Sequence, residues 1–317
     1  MGWHRKLTYN DLAAYALKAT FGTLDVIGNR LFLQQRLFHK DHKCSEIPYG
    51  THTKQRLNVV CPSSGPPYPI VIFFHGGGWL IGDKNGYRAV CNRFAEFGYL
   101  TFNVNYRLAP SYRYTAQLQD IATAIWWVYR HAEQYGGDRR SIFLAGDSAG
   151  ALFASWYANA LRKRELFDLI SANNAVPKES ILGLLLFYGV YDLQTALTSG
   201  FPFIKTFIKN FLGNGEIPLA LKARLLSPIN HLDHNSPPIF ICASERDALF
   251  GQSVAYAEAI RRHRRQPWTL FLTLKDYPEA IHGFLYFINR RCTQMALREA
   301  FRFLAQFTNQ TTAKQDY

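Results

Sequence analysis

The stretch Ile142-Phe143-Leu144-Ala145-Gly146-Asp147-Ser148-Ala149-Gly150 decides how the rest of the chain is read. Four apolar residues predict a strand, and the apolar-rich run Ala151 to Leu161 that follows predicts a helix. Between them stands Gly-x-Ser-x-Gly, a turn so tight that only glycine fits on either side of the serine. A serine at such an apex is held strained with its hydroxyl exposed. Alone, the pentapeptide is equally compatible with an ordinary glycine-rich turn. A second motif, His75-Gly76-Gly77-Gly78-Trp79, lies upstream and follows another apolar strand, Ile70 to Phe74. Three consecutive glycines leave main-chain N–H groups uncovered, able to approach a ligand closely. Donors fixed around a carbonyl oxygen stabilise the anion formed in acyl transfer. The pairing predicts an oxyanion hole built from the amides of Gly76, Gly77 and Ala149.

Working outward, strand and helix periodicities alternate from about residue 55. Strands are predicted at Leu57 to Val60, Leu100 to Val104, Gly183 to Tyr188, Ile239 to Cys242 and Thr269 to Leu272. A helix over Ala116 to Ala132 carries Leu118, Ile121, Ala122, Ile125 and Val128 on one face and stops at Gly136-Gly137. A last helix is predicted from Thr293 to Phe307. This alternation implies a single α/β domain over residues 1–317: a mostly parallel sheet with helices on both faces. Residues 1–45 and 195–225 do not fit the alternation. The second is aromatic, with Phe201, Phe203, Phe207 and Phe211. Both are expected to form a small helical cap over the ends of the strands, where open α/β sheets bind ligands; an additional layer of core is the competing reading.

A serine hydroxyl needs a base within hydrogen-bond reach, and an acid to fix that base. The expected order along the chain is Ser, then acid, then His. Of His231, His234, His263 and His282, the last follows the final strand and precedes Gly283, which permits a sharp turn. His263 sits among arginines that disfavour an imidazolium. Asp247, just after the strand Ile239 to Cys242, leads Asp276, Glu245 and Glu279 as the acid.

The motifs Gly146 to Gly150, His75 to Trp79, Tyr106-Arg107-Leu108-Ala109-Pro110 and His282-Gly283-Phe284 together resemble the α/β-hydrolase superfamily, and within it the hormone-sensitive-lipase-like carboxylesterases. The resemblance runs from about residue 50 to the C-terminus. It implies a triad of Ser148, Asp247 and His282, no metal or organic cofactor, and a small-molecule ester substrate of small to medium acyl chain. Ser244 to Leu249 matches the acid loop of that family, with Ala248 where proline is usual. Gly82-Asp83-Lys84 and Tyr135-Gly136-Gly137-Asp138 are similar instead to kynurenine-formamidase-like and feruloyl-esterase-like hydrolases, whereas Asp147 favours the lipase-like branch. An arylformamidase with the same triad and a non-catalytic ligand-binding member of the fold are the alternatives.

Composition sets the remaining expectations. The formal net charge is +13, densest at Arg162 to Arg164 and Arg261 to Arg265. Both runs are expected at helix ends, where cations complement the dipole. Weak contact with an anionic membrane surface is a second reading of that charge; no motif supports nucleic-acid binding. The five cysteines are scattered and odd in number, which predicts free thiols in a reducing compartment and a cytoplasmic location. No apolar run reaches a membrane span: Ile181 to Val190 is too short and interrupted by Gly183. No secretory signal is expected at the N-terminus, Lys6 stands where myristoylation needs Ser or Thr, and Asn309-Gln310-Thr311 is read as a chance sequon. Oligomeric state is open.

Overall fold

The computed structural model describes residues 12, 13, 15, 16, 19, 44–170, 175–263 and 269–308. The expected N-terminal cap segment falls largely outside the described residues, as do Arg264, Arg265 and the sequon at Asn309.

Eight strands form one sheet: β1 (Cys44–Pro48), β2 (Arg56–Val60), β3 (Tyr68–Phe74), β4 (Leu100–Val104), β5 (Gly137–Asp147), β6 (Ile181–Phe187), β7 (Ile239–Ala243) and β8 (Thr269–Thr273). Their spatial order is β1-β2-β4-β3-β5-β6-β7-β8. The β1–β2 and β2–β4 pairs are antiparallel and every later pair is parallel. Nine helices are described: α1 (Arg88–Glu96), α2 (Tyr114–His131), α3 (Ala149–Ala160), α4 (Arg164–Leu169), α5 (Leu193–Ala196), α6 (Ile204–Leu212), α7 (Leu219–Leu226), α8 (Phe250–His263) and α9 (Arg291–Ala305).

The period of two along a strand explains the two helical layers. In β3, Ile70, Ile72 and Phe74 enter the core shared with α2, α3 and α8. Val71 and Phe73, between them, enter the core shared with α1 and α9. Such a strand is buried on both faces and reads as a continuous apolar run. Helix α3 is buried at every position from Ala149 to Ala160, which accounts for its alanine-rich, uncharged sequence.

The predicted strands all form, within a few residues. Strand β5 begins earlier than its apolar run suggests, at Gly137, because Asp138, Arg139 and Arg140 project from the sheet margin. Strand β1, with the sequence Cys-Ser-Glu-Ile-Pro, has little apolar patterning and was not anticipated. It pairs antiparallel at the edge, where polar residues and a terminal proline are tolerated.

Residues 195–225 are mainly helical. Phe207, Ile208, Phe211 and Leu212 of α6 join the core beside α2 and α3, and Phe211 stacks on Trp79 with ring centroids 4.5 Å apart. The same helix therefore serves as core while Ile204 and Phe207 also line a cavity. At the basic run after α3, Arg162 donates to the Ala158 carbonyl at 2.7 Å, satisfying the helix C-terminus.

Candidate active site

The C-terminal ends of four parallel strands deliver the residues of the site. Strand β3 runs into His75–Gly78, β5 into Ser148, β7 into the loop of Asp247 and β8 into the loop of His282. Ser148 itself has φ 49 and ψ −115, a conformation that costs a non-glycine residue about 1–3 kcal/mol. Its amide donates to the Phe187 carbonyl at 2.9 Å, which holds the turn against β6. Gly150 is obligatory here: a Cβ at that position would lie 2.0 Å from the Phe74 carbonyl oxygen.

The Oγ of Ser148 lies 2.9 Å from Nε2 of His282. On the other side of the ring, Nδ1 lies 2.7 Å from Oδ2 of Asp247. The second carboxylate oxygen of Asp247 accepts the Leu249 amide at 2.8 Å, so both oxygens are engaged and the group is oriented. The imidazole is further held by the rings of Tyr188 and Phe201, edge-on at centroid distances of 4.9 and 4.6 Å. Residues 134 positions apart thus meet in one hydrogen-bonded line. The other histidines are engaged elsewhere: His231 meets the Leu225 carbonyl and His263 the Ala259 carbonyl. Among the other acids, Glu279 accepts the amide of Cys292.

The expected donor set needs one correction. The amide of Gly76 is not open to a substrate oxygen, because it donates to Oδ1 of Asp147 at 2.7 Å. A buried carboxylate in hydrogen-bond range captures an amide firmly. Among the described residues, the amides of Gly77 and Gly78 meet no protein acceptor, and both glycines line the cavity with Ser148. The Ala149 amide stands in the first turn of α3, where an N–H has no partner within the helix. The free donors are therefore those of Gly77, Gly78 and Ala149. Gly77 has φ 118, and a Cβ on it would meet the Ile81 carbonyl oxygen at 2.2 Å.

Asp147 is the residue whose importance sequence reasoning missed. In the sequence it stands out only as a mark of one branch of the superfamily. It is 2% exposed, and besides Gly76 it accepts the Tyr87 hydroxyl at 2.7 Å. Burial pushes its pKa up to about 6, against the opposing pull of the Tyr87 and Gly76 hydrogen bonds. His75 is wholly buried, and its Nδ1 lies 2.7 Å from the Gly76 carbonyl oxygen. Burial lowers its pKa to about 4, so the ring is neutral in the working range.

The Tyr106–Pro110 motif braces this loop from below. The Tyr106 hydroxyl donates to the His75 carbonyl at 2.7 Å and its ring stacks on His75 at 4.3 Å. The Ala109 amide and the Gln117 side chain both donate to the Trp79 carbonyl, at 2.9 and 3.0 Å. Arg107 forks onto the fully buried Asp120, which anchors the motif to α2.

Above the serine opens a cavity of about 600 Å³. Phe201, Phe203, Ile204 and Phe207 form one wall, and Tyr286 and Phe287 another. No lysine or arginine lines it among the described residues.

The sequence model of the BD-FAE family matches residues 57–260, well over half of the chain. The chain belongs to the BD-FAE family. The matched region of this BD-FAE member contains the glycine loop, Ser148 and Asp247, while His282 lies beyond it. The chain is 29% identical over 255 residues to esterase LipQ of Mycobacterium tuberculosis, covering 76% of this chain and 57% of that protein. It is 27% identical over 245 residues to esterase LipC of the same organism, covering 75% of this chain and 59% of that protein. The chain thus spans less than two thirds of the length of these relatives. Esterase B from Lactobacillus rhamnosis superposes with a TM-score of 0.81 at 20% identity, over 96% of this chain and 98% of that one. The architecture is the α/β-hydrolase fold.

Proposed function

We propose that this chain is a serine carboxylic-ester hydrolase. The observation that carries the reading is the continuous line Ser148 Oγ–His282 Nε2–His282 Nδ1–Asp247 Oδ2, with spacings of 2.9 and 2.7 Å, at the floor of an apolar cavity. His282 takes the proton of Ser148 as the hydroxyl attacks the ester carbonyl, and Asp247 fixes the tautomer and stabilises the imidazolium. The amides of Gly77, Gly78 and Ala149 receive the oxyanion as it develops. His282 then protonates the departing alkoxide, leaving an acyl group on Ser148. Water, deprotonated by the same imidazole, releases the acid.

A largely apolar lining without lysine or arginine among the described residues favours neutral esters of small to medium acyl chain. Helix α6 and the Phe201–Phe203 segment act as the cap that supplies this lining. The chemistry engages no metal or organic cofactor. Four cysteines that form no disulfide among the described residues are in keeping with a reducing, cytoplasmic location. The excess of basic residues supports weak contact with anionic membrane surfaces.

Ser148→Ala assayed on short p-nitrophenyl esters tests the proposal: turnover falls by at least about 10⁴-fold if Ser148 is the nucleophile. Undiminished turnover overturns it. An aryl formamide run beside the esters separates the esterase from an arylformamidase using the same triad.

A further inference from the structure

A second cavity, of about 540 Å³, lies between α1 and α9 on the face of the sheet opposite α3. It shares no lining residue with the cavity above Ser148. Its walls combine Arg93, Arg291 and Arg298 with the rings of Phe97, Tyr277 and Phe301, and no aspartate or glutamate lines it among the described residues. The aromatic part is preformed: Phe97 and Phe301 stack with centroids 3.8 Å apart at an interplanar angle of 15°. The Arg93 guanidinium stands 5.5 Å from the Phe97 centroid. Arg298 is held at the rim by the Met295 sulfur, 3.0 Å from Nη2, and by Glu299 at 3.6 Å. Arg93 pairs with Glu96, whereas Arg291 makes no ion pair among the described residues.

Of the three guanidinium groups, Arg93 and Arg298 each have a carboxylate beside them, while Arg291 has none within ion-pair distance among the described residues, and each planar fork is built for a carboxylate or phosphate. The positions arise from one helix face: Arg291, Gln294, Met295, Arg298 and Phe301 recur at the spacing of α9, opposite Arg93 and Phe97. A polar head ringed by cations over an apolar body is the complement of an amphipathic anion.

We propose that this cavity is a binding site for a small amphipathic carboxylate, with its head group between Arg291, Arg298 and Arg93 and its apolar body on Phe97, Phe301 and Tyr277. The site is adjacent to the hydrolytic one along the chain: Phe287 lines the Ser148 cavity and Ile288 lines this one. The claim does not depend on turnover, so it stands or falls apart from the proposed hydrolysis.

The test is calorimetric titration of the full chain with 2-naphthoate, in low salt and in high salt. Saturable 1:1 binding is expected, weakened by salt and lowered at least about tenfold by Arg291→Gln with Arg298→Gln, since each fork supplies charge-assisted bonds. Arg291→Gln alone, on an exposed side chain, gives a smaller loss of the same sign should the double variant fail to fold. Prior phosphonylation of Ser148 leaves binding intact. Naphthalene-2-methanol binding as tightly as 2-naphthoate, absence of saturable binding, or loss of binding on phosphonylation overturns the proposal. So does co-sedimentation with phosphatidylglycerol vesicles by a protein that ignores the monomeric acid, which would make the patch a lipid contact instead.

Discussion

The carboxylate of Asp147 accepts the amide proton of Gly76 at 2.7 Å, joining the residue before Ser148 to the loop that follows β3. The two segments are 71 residues apart, and the bond sets the path of the glycine loop relative to the serine. With the first glycine amide turned inward, the next two stay open to the cavity. The Tyr87 hydroxyl completes the clamp on the other oxygen, so both oxygens of Asp147 are occupied.

If this clamp positions the donors, Asp147→Asn lowers kcat by about tenfold with KM near its original value, because an amide oxygen still accepts from Gly76. Asp147→Ala leaves the Gly76 amide and the Tyr87 hydroxyl unpaired, at about 1–3 kcal/mol each, and lowers kcat by about a hundredfold. Steady-state kinetics on one ester, with thermal melting as a folding control, separates the two. Equal losses for Asn and Ala would show that the shape of the carboxylate is irrelevant.

The bond between Asp247 and Nδ1 of His282 predicts a sharper effect. Asp247→Asn keeps the size of the side chain but presents a donor or a neutral acceptor to the ring. The wrong tautomer then leaves Nε2 without a lone pair for the Ser148 proton, and kcat falls by about 10⁴-fold. Because Asn is nearly isosteric with the buried Asp247 and still offers an acceptor to the Leu249 amide, the variant is also expected to fold with little change in melting temperature, which circular dichroism checks.

Much of this geometry was legible in the sequence because each part is encoded locally. Gly146 and Gly150 announce the turn at Ser148, Gly283 follows His282, and Asp247 stands just past an apolar strand. Chain order and strand ends then suffice to bring the three together. The role of Gly76 was not legible, because which of three consecutive glycine amides stays free depends on a carboxylate distant in sequence. The clue was present in Asp147, an acid placed where burial is certain, since a buried carboxylate must find donors. Strand β1 escaped for a different reason: an edge strand has one solvated side and needs no apolar run.

Gly77 offers a direct test of the donor assignment. Its φ of 118 is unfavourable for any other residue, and a Cβ would press on the Ile81 carbonyl. Gly77→Ala shifts the loop and displaces its amide, lowering kcat by about 10²–10³-fold, the loss associated with one oxyanion donor. Affinity for the substrate ground state is little changed. A variant that loses KM while keeping kcat would assign the loop to substrate binding alone.

The two buried ionisable groups flanking the glycine loop make opposed contributions to stability. His75 has its pKa lowered from 6.5 to about 4 by burial, so its contribution is full above pH 6.5 and is lost as pH falls through 4. Asp147 has its pKa raised from 3.8 to about 6, so its contribution is full below pH 3.8 and is lost as pH rises through 6. Each is worth about 3 kcal/mol over its window. Between about pH 4 and 6 the slopes oppose and nearly cancel. Asp147→Asn removes one of them and leaves the His75 slope uncompensated. Urea unfolding at pH 6.5 and pH 4 is therefore expected to show a greater loss of stability on acidification for the variant than for the parent chain, by about 3 kcal/mol. Parallel losses in the two proteins would mean that Asp147 is already ionised throughout this range, and that its hydrogen bonds from Gly76 and Tyr87 outweigh its burial.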